Sequence, residues 1–294
     1  MSEVEFIQAE AAANELASGE IPAQVKKAFL IALNVKGETP AEVAGFAAAF
    51  RRLAIKPRLE DFADEAIDVC GTGGDNSHSF NISTAVTLIL AASGVKVFKH
   101  GNRSITSKCG SAELLQALGV EFITDPKVLR KAMEALNFVF FFAPAFHPAF
   151  KEIMPVRQEL AQEGRRTIFN ILGPMINPGS PAHQLTGVFS GAWVDPLAEA
   201  FHTLGLKNGM LVHTSEYEGK QPQLDLKARG GDAQSLQNVR TDRTENAVAS
   251  LLPHDPFTTY AASSGVINVN SPGHGLTNGS TYRFRGSPTV SSGS

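Results

Sequence analysis

Cysteine is almost absent from this chain of 294 residues: Cys70 and Cys109 are its whole complement, too few for a disulfide framework. Each stands beside a glycine-punctuated loop, and both read as reduced thiols that fill small spaces rather than as catalytic or redox groups. Long apolar runs are missing as well. No stretch approaches the ~20 residues that cross a bilayer, and the N-terminus MSEVEFIQAEAAANE lacks the basic and apolar regions of a signal peptide. The expected location is the cytoplasm, with no membrane partner. An excess of positive charge is also lacking: the formal charge is −3, which removes the general electrostatic reason to expect nucleic acid or an anionic surface as a partner. Local basic residues remain free to bind a small anion. What is present is 43% hydrophobic content, enough to build one large domain and one small one.

Residues 5 to 54 carry a helical pattern and no strand pattern. Ile21-Pro22 opens one helix, with Ala28, Phe29, Ile31, Ala32 and Leu33 as its apolar face. Thr39-Pro40-Ala41-Glu42 opens the next, a hydroxyl at the N-cap, proline at the first helical position and glutamate placed to close a capping box. Val43, Phe46, Ala47 and Phe50 then recur at helical spacing. A linker around Ile55 to Ala63 ends this part. From Asp64 onward apolar runs alternate with amphipathic segments, an α/β pattern. Ala85 to Ser93 reads as a buried helix, Val95 to Phe98 as a strand, and Ala112 to Leu118 as a helix closed at Gly119. Phe138 to Phe142 reads as a strand apolar on both faces, Ala143 to Pro148 as a loop, and Ala149 to Ala161 as a helix. The division expected is 1–62 helical, 63–261 α/β, and 262–294 a tail crowded with Ser, Gly, Thr and Asn. That composition is strand-and-turn or disordered, with Val266 to Val269 and Tyr282 to Phe284 able to pair across Asn278-Gly279.

Chemistry concentrates between residues 68 and 111. The apolar approach Ala66 to Cys70 runs into Gly71-Thr72-Gly73-Gly74-Asp75, where glycines let backbone N–H groups come close to a phosphate. A helix starting at Asn81-Ile82-Ser83-Thr84 turns its free N–H groups and positive dipole end toward an anion, with the small polar side chains able to cap it. A second loop, Lys99-His100-Gly101-Asn102-Arg103, puts cationic and amide donors at the carboxyl end of another strand. A lone glycine turn is weak evidence, and the combination is far stronger.

GTGGD, NIST, KHGNR and Ser111 within about forty residues resemble the anthranilate phosphoribosyltransferase family. The resemblance extends to Ala28-Phe29-Leu30, Lys36-Gly37-Glu38-Thr39, His147-Pro148, Pro155-Val156-Arg157 and Arg166-Thr167-Ile168-Phe169-Asn170-Ile171-Leu172-Gly173-Pro174, covering roughly residues 5 to 200. It implies a nucleoside-phosphorylase-like two-domain fold, a small N-terminal all-α domain that carries the homodimer contact beside an α/β domain. It also implies transfer of phosphoribose from 5-phosphoribosyl-1-pyrophosphate to anthranilate, a step of tryptophan biosynthesis, with Mg2+. By the family pattern Gly71, Gly74, Asp75, Ser79, Asn81, Ile82, Ser83, Thr84, Lys99, His100, Gly101, Asn102, Arg103, Ser107 and Ser111 meet the donor, and Gly71, Asn102 and Arg157 meet the acceptor. Ser83 and Asp225 fall where the family has magnesium ligands.

Such chemistry suits these residues. The donor carries two anionic groups at opposite ends of a ribose, so two loops serve two ends, and a guanidinium can bind the acceptor's carboxylate through its fork. The aromatic amine is unprotonated at neutral pH, so positioning and leaving-group stabilisation matter more than a general base. His147 therefore reads as a packing or channel residue, and Arg166 and Asn170 as ion-pair or capping groups. Two departures stand out. Family members carry an adjacent Asp-Glu pair after a Val-His strand end, whereas here Leu211-Val212-His213 leads to TSEYEGKQPQLDLKARGG, with Leu226 after Asp225 and with Glu216 or Glu218 as substitutes from a lengthened loop. The tail also lacks the expected amphipathic helices. A silent paralogue that binds ligand or nucleic acid without turnover, and a pyrimidine nucleoside phosphorylase, are the alternative readings.

Overall fold

The computed structural model describes residues 3–74, 81–103, 109–217, 220–229, 236–241, 258–261, 267–270, 281–283 and 289–291. Three helices come first: α1 (Glu3–Ala17), α2 (Ala23–Lys36) and α3 (Pro40–Leu53). The capping box forms as the spacing requires, with the Glu42 N–H donating to Thr39 Oγ1 at 3.2 Å and the Thr39 N–H donating to Glu42 Oε2 at 2.9 Å. Val43, Phe46, Ala47 and Phe50 are all buried. Gly45 is what lets α3 lie against α1, since a Cβ there would stand 2.5 Å from the Phe6 carbonyl oxygen and 2.9 Å from the Ala9 Cβ. The inward face of α2 differs from the expected one: Lys26, Leu30 and Leu33 are buried, while Ala28, Phe29 and Ala32 lie outward. Lys26 can occupy the inner face because its ammonium donates to the Ser18 and Glu152 carbonyls.

These helices do not bury a core of their own. Leu30, Val43, Phe46 and Phe50 belong to one apolar cluster with Ile153, Val156, Leu160, Phe169, Leu172, Leu197 and Phe201, which come from far later in the chain. A short helix α4 (Glu60–Ala63) leads into β1 (Ile67–Gly71), then α5 (Ile82–Ala92), β2 (Val97–Gly101), α6 (Ser111–Ala117), α7 (Pro126–Leu136) and β3 (Phe138–Phe142). Next come α8 (Ala143–Phe146), α9 (Met154–Gln162), α10 (Phe169–Leu172), β4 (His183–Gly187), α11 (Val194–Thr203), β5 (Asn208–Tyr217), β6 (Lys220–Arg229) and β7 (Leu236–Thr241). The seven strands form one sheet in the order β3-β2-β1-β4-β5-β6-β7. It is parallel from β3 through β5 and antiparallel beyond. The chain winds outward from β1 to β3 and then returns to place β4 on the other side of β1. That reversal opens a crevice at the carboxyl ends of the strands, where α/β proteins bind ligands.

Several elements depart from the pattern read in the sequence. Helix α5 is not buried: only Thr84, Thr87 and Ala91 turn inward, and Ile82, Leu88 and Ile89 face solvent. Its apolar composition gave no narrow stripe from which to find the inner face. Ala143–Phe146 is a turn of helix rather than a loop, and the helix expected over 149 to 161 is a 3-10 turn (Pro148–Glu152) followed by α9, with Pro155 inside the first turn of α9 where its missing N–H costs nothing. Among the described residues His213 is followed by strand, not by the expected lengthened loop. β5 runs to Tyr217 and pairs back with β6, so that Asp225 stands opposite His213 and Leu226 opposite Val212 in the register. A second sheet, β10-β11-β9-β8, joins β8 (Thr258–Ala261), β9 (Ile267–Asn270), β10 (Thr281–Arg283) and β11 (Thr289–Ser291). β9 and β10 do not pair with each other as expected, because β11 lies between them.

Candidate functional site

The first loop leaves β1 at Gly71, with Gly73 and Gly74 at φ of 70° and 77°, a backbone conformation that side chains resist. It is pinned from the side of β4: the Thr72 N–H donates to the Gly187 carbonyl at 2.9 Å, and the Phe189 N–H to Thr72 Oγ1 at 3.1 Å. Asp75 and Ser79 lie outside the described residues, as does Ser107. The N-terminus of α5, with Ile82, Ser83 and Thr84 in its first turn, follows this loop. Asn81 does not cap that helix with its side chain. Its amide instead donates to the Gly110 carbonyl at 2.9 Å, tying the start of α5 to the segment that follows the second loop.

The second loop leaves β2 at Gly101. Glycine is needed there because a Cβ would run into Ser111 Oγ and stand 3.0 Å from the Phe140 ring. Ser111 Oγ donates to the Asn102 carbonyl, and Asn102 Oδ1 accepts the Arg103 N–H at 2.7 Å. The Arg103 guanidinium turns back onto α6, donating to Gln116 and lying 5.7 Å from the Phe142 ring centre. Lys99 is not a surface cation: it is buried, and its ammonium donates to the Val69 carbonyl at 2.7 Å. The strand alternation that makes His100 face one side of the sheet sends Lys99 to the other.

Beneath the loops lies a polar interior that the sequence reading did not find. Burial raises the Asp68 carboxyl pKa, while Lys99, the Asn177 amide and the His100 N–H pull it back. Asn177 donates to Asp68 Oδ2 at 2.9 Å and to the Phe98 carbonyl at 2.8 Å, and accepts the Gly179 N–H. A carboxylate in the middle of the apolar strand Ala66 to Cys70 was the available signal. Gln184 donates to the Pro174 carbonyl and to Cys70 Sγ, and burial pushes the Cys70 thiol well above its ordinary pKa, in keeping with a packing role. The Gly-Pro segment after α10 is thus clamped to β1, β2 and β4 from one side.

A row of rings leads away from the second loop. His100 packs on His147 with ring centres 5.2 Å apart, His147 on Phe150 at 5.7 Å, and Arg157 lies over Phe150 and Phe169 at 5.7 and 5.2 Å. Burial lowers His100 to about 3, helped by His147 and opposed by the Gly173 carbonyl that faces its Nδ1. His147 falls to about 4, again chiefly by burial. Both rings are therefore neutral at pH 7, and neither is set up as a proton donor. Burial also lowers Arg157 to about 10, which leaves it a cation. Asn170 caps locally, accepting the Thr167 N–H at 2.8 Å. Arg166, read as an ion-pair or capping group, donates to the Gly74 carbonyl and lies over the Phe189 ring.

Magnesium finds no ready cage here: among the described residues no three His, Cys, Asp or Glu side chains group together. Asp225 sits in a continuous strand, and Ser83 stands in the first turn of α5. Ser83 offers one hydroxyl oxygen, and a hard cation held by one protein ligand keeps most of its own water.

Comparison with known proteins gives the same architecture. The chain is 49% identical over 196 residues to the anthranilate phosphoribosyltransferase of Pyrococcus furiosus, covering 67% of this chain and 58% of that protein. It is 47% identical over 186 residues to that of Methanothermobacter marburgensis, covering 63% and 52%. It thus spans little more than half the length of these curated relatives. A crystal structure of anthranilate phosphoribosyltransferase from Thermus thermophilus superimposes with a TM-score of 0.67 at 38% identity, covering 76% of this chain and 69% of that one. The Saccharomyces cerevisiae enzyme in complex with PRPP and Mg shares the fold at 22% identity and a TM-score of 0.64, over 81% of this chain and 67% of that one. A glycosyl transferase helical bundle domain matches residues 3–54 and a glycosyl transferase a/b domain matches residues 63–242, so the chain belongs to the glycosyl transferase family, on the branch that resembles anthranilate phosphoribosyltransferases.

Proposed function

We propose that this protein transfers the 5-phosphoribosyl group from 5-phosphoribosyl-1-pyrophosphate to anthranilate, giving N-(5-phosphoribosyl)anthranilate and pyrophosphate. The observation that carries the reading is the convergence of two glycine loops and the α5 N-terminus at the carboxyl ends of β1 and β2, bridged by Asn81. Backbone N–H groups and a helix dipole suit the pyrophosphate. Asn102 in the second loop and the Arg157 cation over Phe150 and Phe169 suit the acceptor's carboxylate, and those two phenylalanine rings suit its benzene ring.

In this mechanism the chain positions and screens. The loops hold the donor with its leaving group against N–H donors, so that charge developing on the pyrophosphate is met by dipoles already in place. The aromatic amine of the acceptor is unprotonated at neutral pH by its own weak basicity, so the neutral His100 and His147 serve as packing rings rather than acid–base groups. Ser83 and Asp225, by the family pattern, would hold a magnesium ion that would supply charge neutralisation of the leaving pyrophosphate.

Two further proposals accompany this one. The first is a cytoplasmic location. Separately, among the described residues no helix is long and apolar enough to cross a membrane. The second is a homodimer formed through the helical end, where Val4, Ile7, Val25, Phe29 and Val35 of α1 and α2 lie exposed.

Loss of anthranilate fluorescence on mixing purified protein with the donor, with and without magnesium, tests the activity. Magnesium-dependent turnover is the expected result. Folded protein that binds the donor and gives no product would overturn it in favour of a silent binder.

A further inference from the structure

Arg166 is the one charged side chain that reaches the glycine loop from outside its own strand, among the described contacts. Its Nη2 donates to the Gly74 carbonyl at 3.3 Å, and its guanidinium lies over the Phe189 ring, 4.1 Å from the ring centre. Phe189 is itself tied to the loop through its N–H on Thr72 Oγ1, and Thr72 is tied to Gly187. Thr72 and Gly74 are therefore fastened to the same aromatic residue by separate routes, one through a backbone bond and one through Arg166. Between them Gly73 and Gly74 hold positive φ, which the chain gives up readily unless restrained. Among the described residues Arg166 forms no ion pair.

We propose that Arg166 is a positioning residue, a latch that holds the Gly71–Gly74 loop in its anion-receiving shape by clasping the Gly74 carbonyl from the Phe189 platform. Lysine cannot replace it, because a compact ammonium cannot cover the Phe189 ring and reach the Gly74 carbonyl at the same time, as the broad guanidinium does. The inference rests on the reading of this loop as the pyrophosphate end of the site.

The test compares the full chain with Arg166→Met, Arg166→Lys, Phe189→Leu and the Arg166→Met/Phe189→Leu pair. Hydrogen exchange across residues 69 to 74, inorganic pyrophosphate affinity by calorimetry with magnesium, and melting temperature are the readouts. All single variants should accelerate exchange in the loop and weaken pyrophosphate about 3- to 10-fold, the range of one lost hydrogen bond. The double variant should be no worse than the singles, since both break one latch. Rescue of affinity by lysine with unchanged exchange would overturn the latch and make Arg166 a direct anion contact. A fall in melting temperature with exchange raised throughout the protein would overturn it in favour of a general packing role. Failure of the unaltered protein to bind pyrophosphate would defeat the functional reading, while the exchange data would still decide the latch.

Discussion

Arg157 keeps its charge over two phenylalanine rings although burial lowers its pKa to about 10. An anion reaching it exchanges little water for a strong charge-assisted bond. Replacing Arg157 by Ala should raise the KM for anthranilate about 10- to 100-fold, the worth of one hydrogen bond to a charged group, and leave the KM for the donor nearly unchanged. Steady-state fluorescence assays varying each substrate check this, and equal effects on both would count against an acceptor role. The histidine pair makes a different demand. Both folded values, about 3 for His100 and about 4 for His147, lie below the ordinary value near 6.5. The unfolded chain therefore binds more protons as pH falls below about 6.5, and the stability these rings contribute is fully present above that value and lost as pH falls toward 4 and then 3. Asp68, raised by burial, works in the opposite sense at acid pH. The difference between the native protein and a His147→Gln variant isolates the histidine part. Urea midpoints from pH 7 to 4 should fall more steeply for the native protein, and parallel curves would refute the assignment.

At the scale of elements, the close approach of α1 and α3 depends on one missing methyl group. Gly45→Ala would press a Cβ onto the Phe6 carbonyl and Ala9, and overpacking of this kind costs about 1 to 3 kcal/mol. A chemical denaturation curve should show that loss with the slope unchanged; a variant as stable as the parent would mean the helices separate freely. The Thr39 capping box and the β3 strand were legible in the sequence because each is a local pattern: a cap three residues from its partner, a run of five apolar residues. The glycine loops were legible for the same reason. What escaped was set by partners distant in sequence. Lys26 is buried because Ser18 and Glu152 offer carbonyls, Lys99 because Val69 does, and Asn177 reaches Asp68 across more than a hundred residues. Helix α5 misled for the opposite reason. Its apolar residues are spread round the helix with no single stripe, and only the sheet decides that Thr84, Thr87 and Ala91 face inward.

For the whole molecule, the helical end and the α/β part share one apolar cluster, so denaturation of residues 3–53 and 67–213 should be a single transition rather than two. The proposed dimer would cover apolar side chains left outside on α1 and α2. A Val25→Glu/Phe29→Glu variant should sediment as a monomer at concentrations where the native protein is a dimer, with little change in melting temperature. A native protein that is monomeric at high concentration would remove the dimer reading.

On the proposed reading, the hydrogen bond from Asn81 to Gly110 couples the two ends of the crevice. A fragment that occupies one loop already spends part of the ordering cost of the other, so pyrophosphate and ribose 5-phosphate should each bind more tightly when the other is seated. A donor that carries both groups on one ribose would then gain the advantage of a bidentate ligand, its second end arriving at an effective concentration set by the sugar rather than by the solution.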